Sequence, residues 1–125
     1  MKKVLICDDD ENIREILEMI ISMDFEVEMI MAEDGLDGIE KLKANPDISL
    51  IICDKNMPKA NGVEVYKHNR SNGNIPYILL SGDGVDAITG FEGFEDDSQN
   101  VCVSKPWEED ELIQAIAPFI NSDAA

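Results

Sequence analysis

Short apolar runs alternating with amphipathic stretches are the feature that most restricts how this chain can fold. Residues 4–7 (VLIC) and 50–53 (LIIC) are apolar at every position, which is typical of strands buried on both faces of a parallel sheet. The runs at 27–32, 78–80 and 101–103 predict three further strands. We therefore expect an α/β fold with helices on both faces of the sheet. Its crossovers should be right-handed, which leaves few possible strand orders.

The stretches between these runs carry apolar residues at helical spacing. Residues 13–21 place isoleucine and leucine at i, i+3, i+4, i+7 and i+8, which predicts one buried helix face. A second helix should follow Asp34, a residue type that favours N-caps, and a third should run from Gly62 to about residue 69. A last helix is expected around residues 112–120, where Pro118 should kink it or end it early.

Length and charge exclude several classes of protein. The 125 residues match one compact domain, which we place at residues 1–121 with a short tail at 122–125. The net charge of −17 repels phosphate backbones, so we expect no direct nucleic-acid binding. The chain has no apolar run near the ~20 residues of a membrane span, so we expect a cytoplasmic protein with no membrane partner. The three cysteines are scattered inside apolar runs, which agrees with a reducing compartment.

Polar residues follow four of the predicted strands. In an open α/β sheet, ligands bind at the carboxyl ends of the strands, so these residues should gather at one edge. Each acidic residue taken singly is more often a turn or cap residue than a ligand, but their joint placement predicts a site. The residues at these strand ends are Asp8, Asp9, Asp10, Asp54, Ser81 and Lys105.

This set of side chains suits phosphoryl chemistry with a metal. Carboxylates gathered closely repel one another unless a cation compensates them. Mg²⁺ takes hard oxygen ligands and is commonly held by one or two carboxylates plus a phosphate; Mn²⁺ is the alternative metal. An aspartate beside such an ion can act as a nucleophile and form an aspartyl-phosphate. Ser81 and Lys105 would then contact the phosphoryl oxygens.

Four sequence segments carry a family resemblance. The segments LICDDDENIRE, IICDKNMPKANG, ILLSG and SKPW, in this order, resemble the receiver domain of two-component response regulators, in particular chemotaxis-type regulators. The resemblance covers nearly the whole chain. It implies a single doubly wound, five-stranded parallel sheet with the flavodoxin-like strand order 2-1-3-4-5. It also implies a phosphorylation-controlled binding module that catalyses its own phosphorylation and dephosphorylation but turns over no separate substrate.

The resemblance assigns roles residue by residue. It makes Asp54 the phosphoacceptor and Asp9 a direct Mg²⁺ ligand, with Asp8 acting largely through water. The backbone carbonyl of Asn56 would complete the metal ligands that the protein provides. Asn56 and Asp83 would also flank the path of the hydrolytic water and set the lifetime of the phosphorylated state.

The remaining roles concern the switch. The resemblance makes Ser81 the switch hydroxyl and Lys105 the phosphate-binding lysine, and it places the partner-binding surface within residues 82–107. The family usually has an aromatic residue three positions before the lysine, whereas this chain has Cys102. A readout by ring rotation is therefore in doubt. We interpret Cys102 as a small core residue, with a redox role as the alternative.

The resemblance also implies partners. The phosphoryl donor would be a phosphohistidine on a histidine kinase or a histidine phosphotransfer protein. The single histidine, His68, falls on the third predicted helix, away from the strand ends, so we interpret it as an exposed surface residue and not as a relay. The output would go to a downstream protein partner or to an effector domain. Both a stand-alone receiver and a receiver from a longer regulator remain open.

Three rival functions remain to be weighed. A Mg²⁺-dependent phosphohydrolase usually has a second acid shortly after its nucleophile, but here Lys55 and Asn56 follow Asp54. A flavodoxin-like cofactor carrier needs a loop of backbone donors after the first strand, where this chain has three aspartates that would repel a phosphate. A receiver whose partner binding ignores phosphorylation is disfavoured by the intact set of site residues, but it stays open.

Overall fold

The computed structural model describes residues 2–55, 62–81, 100–104 and 108–120, with only the backbone of Ser81 and Ser104. The predicted tail at 122–125 lies outside these residues. The elements of the described part are β1 (Lys2–Cys7), α1 (Glu11–Asp24), β2 (Val27–Ala32), α2 (Gly35–Ala44), β3 (Ile48–Asp54), α3 (Gly62–Asn72), β4 (Tyr77–Ser81), β5 (Asn100–Ser104) and α4 (Glu109–Ile120).

The five strands form one parallel sheet in the order β2-β1-β3-β4-β5. This arrangement confirms the expected strand order and the doubly wound α/β class. Helices α1 and α4 pack on one face of the sheet, and α2 and α3 pack on the other. None of the helices in the described ranges combines the length and apolarity that a membrane span requires.

The centre of the sheet explains why the two most apolar runs are strands. Every residue of Val4–Cys7 in β1 and of Leu50–Cys53 in β3 has no exposed surface. Alternate side chains of these strands enter the two cores on opposite faces, because successive residues of a strand point to opposite sides. Both faces therefore require apolar residues, and the edge strand β2 is only partly buried.

Helix starts follow the capping chemistry of aspartate. Asp34 caps α2 as predicted, since its Oδ1 accepts a hydrogen bond from the backbone N–H of Asp37 at 2.8 Å. Asp10 caps α1 in the same way, with its Oδ1 accepting from the N–H of Asn12 at 2.9 Å. The cap on α1 fixes the turn that connects β1 to the helix, and this turn carries part of the candidate site.

Helix α3 ends later than the sequence suggests, and α4 is not ended by its proline. Helix α3 reaches Asn72 rather than residue 69 and stops before Asn74, whose φ of 50° lies in the left-handed region that asparagine tolerates. Helix α4 includes Pro118 and continues to Ile120, so the proline does not end it. Ile116 and Ile120 are buried in the core on both sides of the proline, and this packing holds the last turn in place.

Candidate metal and phosphoacceptor site

The register of the two central strands brings the acidic residues together. Cys7 and Cys53 lie opposite each other in the parallel pair β1–β3, and each directly precedes an aspartate. Asp8 and Asp54 therefore emerge at the same edge of the sheet. The carboxylate oxygens of Asp8, Asp9 and Asp54 lie within 4.8 Å of one another. The sequence prediction that these three residues meet at the carboxyl edge agrees with this geometry.

The three carboxylates differ in their access to solvent. Asp8 and Asp54 are buried, with 1% and 7% of their surface exposed, whereas Asp9 is exposed. The Oδ1 atom of Asp8 accepts a hydrogen bond from the backbone N–H of Asp10 at 2.9 Å. Several negative charges in a partly buried pocket call for a compensating cation. Oxygen-only donors with this spacing and one open, exposed side fit Mg²⁺, which keeps waters and binds through few carboxylates.

Arg14 ties the first helix to this acidic turn. The Nη1 atom of its side chain donates a hydrogen bond to the backbone carbonyl of Asp8 at 2.6 Å. Its backbone N–H donates to the backbone carbonyl of Asp10 at 3.1 Å. Arg14 thereby holds the backbone that presents Asp8 and Asp9. The sequence analysis missed this residue, although it is the one basic residue between Lys3 and Lys41 and lies one helical turn after Asp10.

The backbone after Asp54 is fixed by two hydrogen bonds and one close contact. The N–H of Lys55 donates to the carbonyl of Leu80 at 3.0 Å, and the N–H of Gly62 donates to the carbonyl of Lys55 at 2.9 Å. A Cβ atom at Gly62 would lie 2.7 Å from the carbonyl oxygen of Asp54. The start of α3 therefore packs directly on the Asp54 backbone, which only glycine permits.

Two buried thiols lie beneath the acidic cluster. Neither Cys7 nor Cys53 has exposed surface. A hydrogen bond with Cys53, reinforced by burial, raises the pKa of the Cys7 thiol well above its usual range. Helix α2 makes room for this thiol with Gly38, where a Cβ atom would lie 2.7 Å from the sulfur of Cys7. The packing below the site therefore depends on the absence of a side chain at Gly38.

The remaining predicted site residues are placed in part. Ser81 ends β4 at the same edge of the sheet, with its backbone opposite Ser104 of β5. Cys102 lies opposite Leu79 and is partly buried against the core under α2 and α3, as expected of a small core residue. Asn56, Asp83 and Lys105 lie outside the described residues, as does most of the predicted partner surface at 82–107.

His68 is not the exposed surface residue that we expected. It lies on α3, partly buried, and lines a cavity of about 310 Å³ together with Leu42, Lys43 and Ile75. Burial lowers the pKa of His68 below its usual value, and the charge of Lys43 adds to this effect. The cavity adjoins the start of β4, at the opposite edge of the sheet from the acidic cluster, so His68 lies far from the expected phosphoryl chemistry.

Comparisons with known proteins agree with the fold and identify the family. The family model for the response regulator receiver domain matches residues 4–117. The chain therefore belongs to the receiver domain family of two-component response regulators, whose general function is to accept a phosphoryl group.

Two curated relatives show how the chain relates to longer and shorter family members. It is 34% identical to the transcriptional regulatory protein CpxR homolog of Haemophilus influenzae, over all of this chain and 53% of that protein. It is also 35% identical to the chemotaxis protein CheY1 of Helicobacter pylori, over 66% of this chain and 68% of that protein. The chain thus spans about half the length of the transcriptional regulators that it matches.

Solved structures show the same architecture. The N-terminal domain of an uncharacterized protein from Wolinella succinogenes superposes with a TM-score of 0.83 at 27% identity, covering 99% of this chain and 98% of that one. The receiver domain of a Francisella response regulator superposes with a TM-score of 0.80 at 27% identity, covering 98% and 99%. The likeness extends over nearly the full length of all three chains.

Proposed function

We propose that this receiver takes up a phosphoryl group on Asp54 in a Mg²⁺-dependent reaction and thereby switches its protein contacts. The observation that carries the proposal is the meeting of Asp8, Asp9 and Asp54 within 4.8 Å at the carboxyl edge of the sheet. Asp54 ends the central strand β3, and hydrogen bonds of Lys55 with Leu80 and Gly62 hold the backbone that follows it.

The residues around Asp54 suit a divalent ion. Asp9 and Asp54 would hold Mg²⁺ directly, Asp8 would act largely through water, and the backbone carbonyl of Asn56 would complete the protein ligands; Mn²⁺ would be an acceptable substitute. When bound, the ion compensates the negative charge that the carboxylates and the incoming phosphoryl oxygens bring together. The closeness of Asp8, Asp9 and Asp54 supports this assignment, because carboxylates brought this near repel one another unless a cation lies between them.

The chemical step uses the Asp54 carboxylate as the nucleophile. One of its oxygens attacks phosphorus, a new P–O bond forms, and the P–N bond to the imidazole of the donor breaks while that nitrogen takes up a proton. Ser81 and Lys105 bind the transferred phosphoryl oxygens, as the family pattern implies. Water later attacks phosphorus and releases inorganic phosphate, at a rate that Asn56 and Asp83 set. The protein thus catalyses its own phosphorylation and dephosphorylation without turning over a separate substrate.

The proposed partners follow from the same chemistry. The donor is a phosphohistidine of a histidine kinase or a histidine phosphotransfer protein. The output passes through residues 82–107, including Cys102 in place of an aromatic residue, to a downstream protein or an effector domain. We assign the receiver to residues 1–121 and the tail to residues 122–125. The acidic charge of the chain disfavours direct contact of this domain with nucleic acid.

Phosphorylation with a small donor tests the proposal. Wild-type protein is incubated with acetyl phosphate, with and without Mg²⁺, and its intact mass is measured. We expect a base-labile adduct of about 80 Da that requires the metal, as an aspartyl-phosphate does. Asp54→Asn should abolish the adduct, and Asp9→Ala should suppress it while circular dichroism shows a folded protein.

Asp24→Asn is the matched control, because it makes the same chemical change at an exposed position at the end of α1. This variant should be labelled like the wild type. An adduct on Asp54→Asn, or none on the wild type with Mg²⁺ present, would contradict the proposal. Unfolding of Asp9→Ala would show that Asp9 serves the fold rather than the metal.

A further inference from the structure

A buried tyrosine reaches across the sheet face to the start of α3. Tyr77 is the first residue of β4 and has no exposed surface. Its hydroxyl donates a hydrogen bond to the backbone carbonyl of Gly62 at 2.9 Å. The residues that follow it in the strand, Ile78, Leu79 and Leu80, are aliphatic. A hydroxyl at such a position is costly to bury unless it is hydrogen-bonded, so this bond fixes where Tyr77 and Gly62 lie relative to each other.

The residue that Tyr77 holds is the one that packs on the acceptor. Gly62 approaches the carbonyl of Asp54 so closely that a Cβ atom would lie 2.7 Å from it. The N–H of Gly62 donates to the carbonyl of Lys55 at 2.9 Å. Contacts therefore run without a gap from the Tyr77 hydroxyl through Gly62 to the backbone of Asp54 and Lys55. A shift of Gly62 would therefore change the packing against the backbone of Asp54.

The ring of Tyr77 is itself held firmly. It packs edge-to-face on the ring of Tyr66, with the ring centroids 5.7 Å apart and an angle of 75° between the planes. The hydroxyl of Tyr66 has a different partner: it accepts a hydrogen bond from Nη1 of Arg70 at 2.9 Å. The two phenols are thus neighbours in one core, but they serve different parts of the structure.

We propose that Tyr77 is a positioning residue for phosphoryl acceptance. Its hydroxyl holds the start of α3 against the Asp54 backbone, so that the Asp54 carboxylate stays within reach of Asp8 and Asp9. This inference rests on the proposed function, in which these three residues bind Mg²⁺. It also explains why a tyrosine occupies the head of an otherwise aliphatic buried strand, where an isoleucine or valine would fill the core without needing a partner.

The test compares Tyr77→Phe with Tyr66→Phe. Each variant loses one hydroxyl from the same pair of rings and keeps the aromatic packing, so Tyr66→Phe controls for a general loss of stability. Mg²⁺ affinity is measured by isothermal titration calorimetry. Tyr77→Phe should weaken Mg²⁺ binding about tenfold, the lower end of the loss seen when a group that orients a metal ligand is removed. Tyr66→Phe should bind Mg²⁺ like the wild type.

A second measurement uses no metal. Hydrogen exchange of the Gly62 amide is compared with that of Ile52 in the buried strand β3, which reports global unfolding. In Tyr77→Phe the Gly62 amide should exchange faster relative to Ile52, and in Tyr66→Phe the ratio should stay at its wild-type value. This readout detects the anchoring of Gly62 whether or not a metal binds.

Each outcome decides a stated point. Faster Gly62 exchange together with weaker Mg²⁺ binding in Tyr77→Phe alone would support the inference. Unchanged Gly62 exchange, or equal Mg²⁺ affinity in the two variants, would overturn it while leaving the proposed function intact. A wild-type protein that takes up no Mg²⁺ at all would overturn the proposed function, and the role of Tyr77 would fall with it.

Discussion

Cys7 and Cys53 face each other across the pair β1–β3, each one residue before an aspartate of the acidic cluster. The strand register that places the two thiols side by side therefore also places Asp8 and Asp54 side by side at the edge of the sheet. The thiols enter the core under α2 and α3, while the carboxylates of Asp8 and Asp54 meet where the two strands end. The register of β1 and β3 thus determines both the packing of the two thiols and the meeting of the two aspartates.

The thiols should differ sharply in reactivity. Cys7 and Cys53 are fully buried, and the pKa of Cys7 is raised by its hydrogen bond with Cys53 and by burial, so little thiolate forms. Cys102 is only partly buried. Titration of the native protein with a disulfide reagent at mildly alkaline pH should modify Cys102 alone, and denaturation should release all three thiols. Rapid modification of Cys7 in the native protein would show that the core under the site opens readily.

Gly38→Ala should destabilise the protein although alanine favours helices. The new Cβ would lie 2.7 Å from the sulfur of Cys7, and overpacking of this kind costs about 1–3 kcal/mol. The gain in helix propensity returns about 1 kcal/mol, so urea unfolding should show a net loss of up to about 2 kcal/mol. In a Cys7→Ala background the substitution should no longer destabilise. An equal cost in both backgrounds would mean that the sulfur is not the obstacle.

Gly62→Ala should damage the site as well as the fold. Its Cβ would lie 2.7 Å from the carbonyl oxygen of Asp54 and 3.1 Å from the Cα of Lys55, and backbone atoms cannot move aside cheaply. We expect a loss of about 1–3 kcal/mol in the free energy of unfolding and slower phosphorylation by acetyl phosphate. Gly73→Ala is the control, since its Cβ would meet only Ile75, at an ordinary 3.9 Å. Equal phosphorylation rates in the two variants would contradict this prediction.

His68 should make stability depend on pH. Burial and Lys43 hold its pKa below the usual 6.5 in the folded state, so the unfolded chain binds the proton more readily. The free energy of unfolding should therefore fall as the pH drops through 6.5 towards the folded pKa, and this contribution is fully retained above 6.5.

Replacement of the histidine isolates this effect from the many carboxylates of the chain. In urea unfolding, the stability of the wild type relative to His68→Gln should decrease from about pH 8 to about pH 5.5. Lys43→Gln should raise the pKa of His68 in an NMR titration, because one of the two causes of its shift is removed. A constant stability difference across this range would mean that His68 titrates alike in the folded and unfolded states.

Much of the fold follows from local pattern, and the acidic cluster follows from topology. Fully apolar runs identified β1 and β3 as the covered centre of a parallel sheet, and parallel strands necessarily bring Asp8 and Asp54 to one edge. The roles of Tyr77 and Gly38 could not be predicted, because each depends on a distance of a few ångströms between elements far apart in sequence. Of the two effects expected of Pro118, an early end of α4 does not occur, since the packing of Ile116 and Ile120 overrides the local cost of the proline.

The enclosure of β1 and β3 has a consequence for how the molecule opens. Residues Val4–Cys7 and Leu50–Cys53 are covered on both faces, so their amides should exchange only when the whole domain unfolds, whereas helix ends fray at much lower cost. The strands that carry Asp8 and Asp54 thus belong to the last unit to come apart. Fraying at the far ends of the outer helices therefore leaves the two strands aligned, whereas release of the start of α3 would remove the contact that packs on Asp54.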